Sequence, residues 1–344
     1  MYETYYGLTG KPFQLNPDPE FFFASRGHAR AYAYLQYGLH QGEGFIVITG
    51  DIGAGKTTLV RSILKRLDPD KVVAAQLVST QLDAEDMLKS VAAAFGVPAR
   101  ASDKAQLLAQ IEAFLVSLVP ERRRALLIVD EAQNLTPRAV EELRMLSNFQ
   151  LENRALLQSF LVGQPELRQI MQSGAMQQLR QRVIASYHLG PMDRAESQAY
   201  IEHRLKHVGW QDDPSFDAAA HEAIHAFCMG IPRRINLLCN RLLLAGYLGE
   251  KHDISAADVR GIANEVRQEF GPENVATPVL PVAANSRPTA NLPVPVGSPV
   301  PASVGEIARL EDRITRLERL VHSTVSLLHT LIEREQRNRS SRSG

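Results

Sequence analysis

The 344-residue sequence is poor in cysteine and has no net charge. Its two cysteines, Cys228 and Cys239, are too few for a disulfide framework and lack the spacing of a zinc site, which favours a reducing compartment. The 38 basic and 38 acidic residues cancel. No net field therefore attracts the chain to nucleic acid or to an anionic membrane.

Long apolar runs are missing as well. No stretch of the sequence reaches the roughly 18 apolar residues of a membrane-spanning helix. The first residues do not show the basic segment followed by an apolar segment that is typical of a secretory signal. We therefore expect a cytoplasmic protein without a membrane span. Attachment to the inner membrane through partner proteins is compatible with this expectation. With 44% hydrophobic residues, the chain has enough apolar material for a large core.

Short apolar segments alternate with helical segments in the first 190 residues. Because these candidate strands have almost no polar face, they predict a parallel sheet that is covered by helices on both sides. The candidate strands are 45–49, 72–78, 125–129, 156–162 and 185–189. The pattern predicts an α/β domain over residues 1–190.

Helical segments replace the strands after residue 190. Four of them are expected, because Pro191, Pro214, Pro232 and Ser255 lie where a helix start favours proline or a capping residue. The sequence therefore predicts a second, helical domain over residues 191–270.

The last part of the sequence has a different composition. Residues 271–303 contain eight of the nineteen prolines, which predicts an extended, disordered linker. Residues 304–336 show four heptads, which favour a self-associating coiled coil over an amphipathic helix packed on the globular part. Residues 337–344 are a polar tail that we expect to be disordered. The heptad positions are Ile307, Leu310, Ile314, Leu317, Val321, Thr324, Leu328 and Leu331.

A glycine-rich segment follows the first candidate strand and matches G-x-x-x-x-G-K-[ST], the phosphate-binding P-loop. Its glycines allow backbone N–H groups to point at phosphates, Lys56 can reach the β and γ phosphates, and the Thr57 hydroxyl can bind Mg²⁺. A preceding strand and a helix from about Lys56 disfavour a simple glycine-rich turn. The predicted binding residues are Gly50, Asp51, Ile52, Gly53, Ala54, Gly55, Lys56, Thr57 and Thr58.

Two carboxylates end the third candidate strand. Asp130 is placed to bind Mg²⁺ or its water ligands, and Glu131 to orient or deprotonate the attacking water. The alternative is an acidic pair that caps a helix, which the neighbouring P-loop disfavours. The two motifs together predict a Mg²⁺-dependent nucleoside triphosphatase.

Four further polar residues are candidates for the catalytic step, which needs positive charge and a polar group near the γ-phosphate. Gln164 lies at the end of the fourth candidate strand. Arg180 and Arg182 precede the last strand, and Arg233 lies at the start of a helix in the second domain. Taken singly, each is more often a surface arginine or a hydrogen-bonded amide than a catalytic group.

The order of these motifs resembles that of the AAA+ ATPases. Further segments resemble the ExeA-like group, the general secretion pathway protein A-type ATPases, and most of all those beside exosortase and exopolysaccharide loci. These segments are YGLTGKPF (6–13), NPDP (16–19), DEAQNL (130–135), GQPEL (163–167) and GIPRRIN (230–236).

The resemblance implies a five-stranded αβα sandwich with a helical lid. It implies that Gln164 is the sensor-1 residue and that Arg233 is the sensor-2 residue. It also implies that Arg182 or Arg180 is the arginine finger that reaches a neighbouring subunit's nucleotide in a ring-type oligomer.

The same resemblance implies that ATP hydrolysis drives assembly of an envelope secretion or exopolysaccharide export system, through protein partners. Secretion-pathway members of the group continue into a membrane helix and a peptidoglycan-binding region. This sequence has the proline-rich linker and the heptads at that place. We therefore expect the coiled coil to serve as an adaptor or in assembly. A DNA-dependent ATPase of the transposition-helper type is the alternative. The neutral charge and the lack of a recognisable helix-turn-helix make nucleic acid an unlikely partner. A third alternative is a regulatory switch that binds ATP and rarely hydrolyses it.

One motif points to different chemistry. His221, Glu222 and His225 match H-E-x-x-H, in which two histidines bind zinc and the glutamate acts as a base. The histidines flank an apolar helix stripe in the predicted lid. No third zinc ligand is evident from the spacing, and Glu250 is the one candidate for it. We therefore expect no zinc peptidase activity.

Overall fold

The computed structural model describes residues 1–78, 83–98, 103–152 and 154–270. The predicted linker over 271–303, coiled coil over 304–336 and tail over 337–344 lie outside the described residues. No helix in the described ranges is long and apolar enough to cross a bilayer.

The described residues form nine strands and twelve α-helices, together with short 3₁₀ turns. The strands are β1 (Phe45–Gly50), β2 (Val72–Val78), β3 (Arg124–Asp130), β4 (Gln150–Leu151), β5 (Arg154–Ala155), β6 (Leu157–Gly163), β7 (Val183–Leu189), β8 (Ser215–Phe216) and β9 (Asp253–Ile254). The helices are α1 (Tyr2–Tyr5), α2 (Arg26–Gln41), α3 (Lys56–Leu64), α4 (Ala84–Ala94), α5 (Lys104–Ser117), α6 (Pro137–Leu146), α7 (Pro165–Gln172), α8 (Gln177–Arg180), α9 (Arg194–His207), α10 (Ala218–Cys228), α11 (Pro232–Leu248) and α12 (Ala256–Phe270).

Five strands form one parallel sheet in the order β2-β3-β6-β1-β7. They match the five predicted strands, which confirms the predicted fold class. Strands β1, β6 and β3 are neighbours, and in the register Thr49 lies opposite Gly163. The loops after these three strands therefore meet at the carboxyl edge of the sheet, where ligands of open α/β sheets bind.

The central strands β1, β3 and β6 are buried on both faces, which explains why they are mostly apolar, whereas the edge strands β2 and β7 are partly exposed. In β1, Phe45 and Val47 belong to a core that includes residues of α4, α5 and α6. Ile46 and Ile48 belong to a core on the opposite face with residues of α2 and α3. Because side chains alternate along a strand, β1 supplies both cores.

The helices after residue 190 share a third hydrophobic core. Helix α9 begins after Asp193, which forms a reciprocal capping box with Glu196, and α10 begins after the cap Asp217. The first residues of the chain belong to this helical core, through buried Tyr2, Tyr6, Leu8 and Phe13. The N-terminal segment therefore packs on the helical part, although the domain prediction groups it with the sheet.

Candidate active site

The P-loop turn depends on two glycines in the left-handed region, Gly53 with φ 81° and Gly55 with φ 97°. A Cβ atom on Gly55 would lie 2.7 Å from Nε2 of His28. A Cβ atom on Gly53 would overlap the side chain of Arg233. Glycine is therefore required at both positions, by backbone conformation and by space.

Lys56 begins α3 and is almost fully buried against the loop. Its Nζ donates to the carbonyl oxygens of Gly50 at 2.7 Å and Asp51 at 3.0 Å. Burial lowers the pKa of the Lys56 ammonium, and the charges of Glu131 and Asp130 oppose that shift. A buried ammonium held only by carbonyl oxygens is suited to a phosphate, since phosphate oxygens would add full negative charge.

The next P-loop residue meets the end of β3. The Thr57 hydroxyl donates to Oδ2 of Asp130 at 3.0 Å, and the backbone N–H of Glu131 donates to Oδ1 at 3.0 Å. Burial raises the pKa of Asp130, and these two hydrogen bonds oppose the shift. A hydroxyl beside a carboxylate is a donor set that suits Mg²⁺, which binds one or two protein oxygens together with substrate phosphates.

Two glutamine amides fix the side chain of Glu131. Nε2 of Gln133 donates to its Oε2 at 2.7 Å, and Nε2 of Gln164 donates to the same oxygen at 3.1 Å. Burial opposes ionisation of Glu131, but the hydrogen bonds from Gln133 and Gln164 and the Lys56 charge hold its pKa below the usual range. The structure therefore brings Gln164 and Glu131 together, and it adds Gln133, which motif order did not single out.

The helical part reaches the P-loop through the start of α11. The backbone N–H of Arg233 donates to the carbonyl oxygen of Gly53 at 3.2 Å, and the Arg233 side chain lines the same pocket as Lys56 and Thr57. The structure thus places the predicted sensor arginine beside the phosphate-binding loop.

The remaining pocket walls come from residues outside the predicted set of site residues. His28 is buried, with its Nε2 3.0 Å from the carbonyl oxygen of Ala54, and burial lowers its pKa. Arg204 is 6% exposed and donates through Nε to the carbonyl oxygen of Pro12 at 2.5 Å. Other lining residues are Gln14, Leu15, Asn16, Pro17, Asp18, Phe21, Phe22, Phe23, Tyr200 and Asn236. Aromatic rings and buried polar groups beside a P-loop suit the base and sugar of a nucleotide.

Comparison with known proteins agrees with this geometry. The profile of a family described as AAA domain matches residues 39–171, which contain the P-loop, Asp130, Glu131 and Gln164. The chain is 37% identical over 267 residues to general secretion pathway protein A of Aeromonas hydrophila, an alignment that covers 77% of this chain and 48% of that protein. The chain thus spans about half the length of this relative.

Solved structures show the same fold. The ADP form of the Aeropyrum pernix ORC2 protein superposes with a TM-score of 0.56 at 19% identity, covering 75% of this chain and 73% of that one. The Aeropyrum pernix ORC1 protein in complex with DNA superposes with a TM-score of 0.55 at 17% identity, covering 75% of this chain and 70% of that one. The chain thus contains an AAA domain and is similar to general secretion pathway protein A.

Two of the predicted arginines, Arg180 and Arg182, do not line the P-loop pocket. Arg182 is half-buried, and its Nη1 donates to the carbonyl oxygen and the hydroxyl of Ser147 at 3.1 and 3.0 Å. Arg180 is exposed and donates to the carbonyl oxygen of Gln172 at 3.3 Å. Both guanidinium groups therefore donate to acceptors of their own chain, and Arg180 is the more exposed of the two.

The H-E-x-x-H segment lies in α10. Glu222 is paired with Arg194, and Nδ1 of His225 lies 2.9 Å from the hydroxyl of Ser197. Across the described ranges, no three His, Cys, Asp or Glu side chains are grouped as metal ligands. The pairing of Glu222 argues against the zinc interpretation, because a catalytic base would need its carboxylate at the metal-bound water.

Proposed function

We propose that this chain is an ExeA-like AAA+ ATPase of the exosortase- and exopolysaccharide-associated subgroup. It would use Mg²⁺ and ATP to drive assembly or operation of an envelope secretion or exopolysaccharide export system. The observation that carries the catalytic part is the convergence of Lys56, the Thr57–Asp130 pair and the fixed Glu131 carboxylate at one pocket.

Each residue has a distinct role in the proposed reaction. Lys56 and the P-loop N–H groups bind the phosphates of ATP, and Thr57 and Asp130 hold the metal ion. Bound Mg²⁺ supplies charge stabilisation at the phosphate oxygens. Glu131, ionised because Gln133 and Gln164 donate to it, accepts a proton from the attacking water. Gln164 orients this carboxylate, since its amide bonds Oε2.

The positive charge still needed at the γ-phosphate would come from two arginines. Arg233 packs on the P-loop from the helical part, so it can report the phosphate state to that part. For the arginine supplied by a neighbouring subunit, we assign Arg180 rather than Arg182. The reason is that Arg182 is half-buried and makes two hydrogen bonds to Ser147, whereas Arg180 is exposed and makes one, to the carbonyl oxygen of Gln172.

The proposed cellular role rests on the similarity of this chain to a known protein. The 37% identity to general secretion pathway protein A supports a secretion-associated role, and the motifs at 6–13 and 230–236 support the narrower subgroup. Partners would be secretion or polysaccharide-export proteins, with self-association through the ring interface and the heptads of 304–336. Peripheral attachment to the inner membrane would come through those partners.

Steady-state ATP turnover against protein concentration, with and without duplex DNA, tests this function. Because a finger from a neighbouring subunit completes the site, turnover per subunit should rise with concentration, and DNA should not change it. A Lys56→Ala sample prepared in parallel gives the background from contaminating ATPases. Strong stimulation by DNA would instead support the transposition-helper alternative, and turnover independent of concentration would argue against an interfacial arginine.

A further inference from the structure

A second groove lies at the amino-terminal edge of the main sheet, away from the nucleotide pocket. Its walls are the C-terminal parts of α2 and α5, the turn before β3, and the β4–β5 hairpin. Arg124 begins β3 at this edge, whereas Asp130 ends the same strand at the nucleotide pocket. Six residue steps of extended strand separate the two sites by about 20 Å.

Four arginines line this groove, which we call the arginine groove: Arg122, Arg123, Arg124 and Arg154. The structure gives no hydrogen bond or ion pair to the side chains of Arg122 and Arg154 within the described ranges, and both are exposed. Nε of Arg123 is buried without a hydrogen-bond partner in the same ranges, although its other nitrogens donate to Glu121 and to the carbonyl oxygen of Pro69.

The arginine groove carries excess positive charge over an apolar base. Two carboxylates, Glu43 and Glu152, line it against four guanidinium groups, and Glu121 pairs with one of these four, that of Arg123. Leu115 and Leu156 are buried beneath it, and Leu151 is 40% exposed at its rim. Since the whole chain is neutral, this local excess is a property of the groove and not of the general surface.

The backbone that presents the arginines is fixed. The N–H groups of Arg122, Arg123 and Arg124 donate to the carbonyl oxygens of Val119, Leu118 and Lys71 at 3.0, 3.0 and 2.9 Å. Arg122 has φ 57°, in the left-handed region. Three successive guanidinium groups therefore leave a hydrogen-bonded turn, and little backbone entropy is lost when they bind a partner.

We propose that the arginine groove docks an acidic segment of a partner protein that also carries apolar side chains. Guanidinium groups bind carboxylates in bidentate pairs, and the exposed Leu151 offers contact to apolar side chains. This exposed leucine favours a protein segment over a nucleic acid backbone, which would meet only the charges. The site lies beyond the proposed ATPase chemistry and does not depend on it.

Fluorescence anisotropy on the full chain tests the proposal, with a short labelled peptide rich in glutamate and leucine. The double variant Arg122→Glu/Arg154→Glu should weaken binding on the order of tenfold at low salt. Neither side chain has a hydrogen-bond or ion-pair partner among the described residues, so the fold should be preserved, and ATP turnover should stay at the wild-type level. The matched control is Arg30→Glu/Arg260→Glu, two exposed arginines outside the groove, which should bind the peptide like wild type.

Two further probes separate the alternatives. A peptide with glutamine in place of glutamate should bind weakly to every variant, because the carboxylates are then missing. Equal loss of binding in both double variants would overturn the proposal, since the attraction would then be general. Duplex DNA that binds the wild type more tightly than the acidic peptide, and that the groove variant releases, would also overturn it in favour of a nucleic acid site.

Discussion

Glu131→Gln is expected to lower the ATP turnover number about 10²- to 10⁴-fold, the range that general base catalysis contributes, while ATP affinity stays unchanged. The amide cannot accept the proton of the attacking water. Its carbonyl oxygen can still accept the hydrogen bonds that Gln133 and Gln164 now donate to Oε2, so the local structure should be kept. Single-turnover hydrolysis together with nucleotide titration measures both quantities.

The control for this variant is Glu141→Gln. Glu141 is exposed on α6 and pairs with Arg144, outside the nucleotide pocket, so its loss should leave turnover unchanged. If Glu131→Gln hydrolyses ATP at a near-normal rate, Glu131 is not the catalytic carboxylate.

Arg180→Ala should lower turnover on the order of 10³-fold, the lower end of the range for an arginine finger. The defect should be complemented between subunits. An Arg180→Ala subunit keeps an intact site but supplies no finger, and a Glu131→Gln subunit supplies a finger but has no base. Each variant alone is then inactive, and a mixture should regain activity at the interfaces that pair an intact site with an intact finger.

Arg182→Ala is the matched comparison, because it removes a neighbouring guanidinium that is bound to Ser147. Its main effect should be on stability, through the lost hydrogen bonds, with thermal unfolding as the readout. Complementation by Arg182→Ala and none by Arg180→Ala would reverse the assignment of the finger.

The sheet could be predicted from the sequence because its central strands are buried on both faces. Segments such as 45–49 and 125–129 therefore lack polar positions and stand out between helical segments. The P-loop and the Asp130–Glu131 pair were also predictable, because each is a local pattern at the end of such a strand. Their contact through Thr57 follows from β1, β6 and β3 being neighbours in the sheet.

Other parts of the site could not be predicted, because they depend on contacts between residues far apart in sequence. Arg204 binds the carbonyl oxygen of Pro12 across 192 residues, and His28 meets Ala54 of the P-loop. Neither residue belongs to a local pattern that distinguishes it from an ordinary helix residue. Similarly, Arg180 and Arg182 both precede the last strand in the sequence, and only the structure distinguishes them, by their burial and by their different hydrogen-bond acceptors.

Calorimetric titration of the wild type and Lys56→Ala with ATP and Mg²⁺ is the most direct test of the central claim, that the P-loop pocket binds the triphosphate. Lys65→Ala is the control, since Lys65 lies just after the same helix but pairs with Glu20 at the surface. We predict that the wild type and Lys65→Ala bind ATP alike and that Lys56→Ala shows no measurable binding. Equal ATP affinity in Lys56→Ala and wild type would contradict the account.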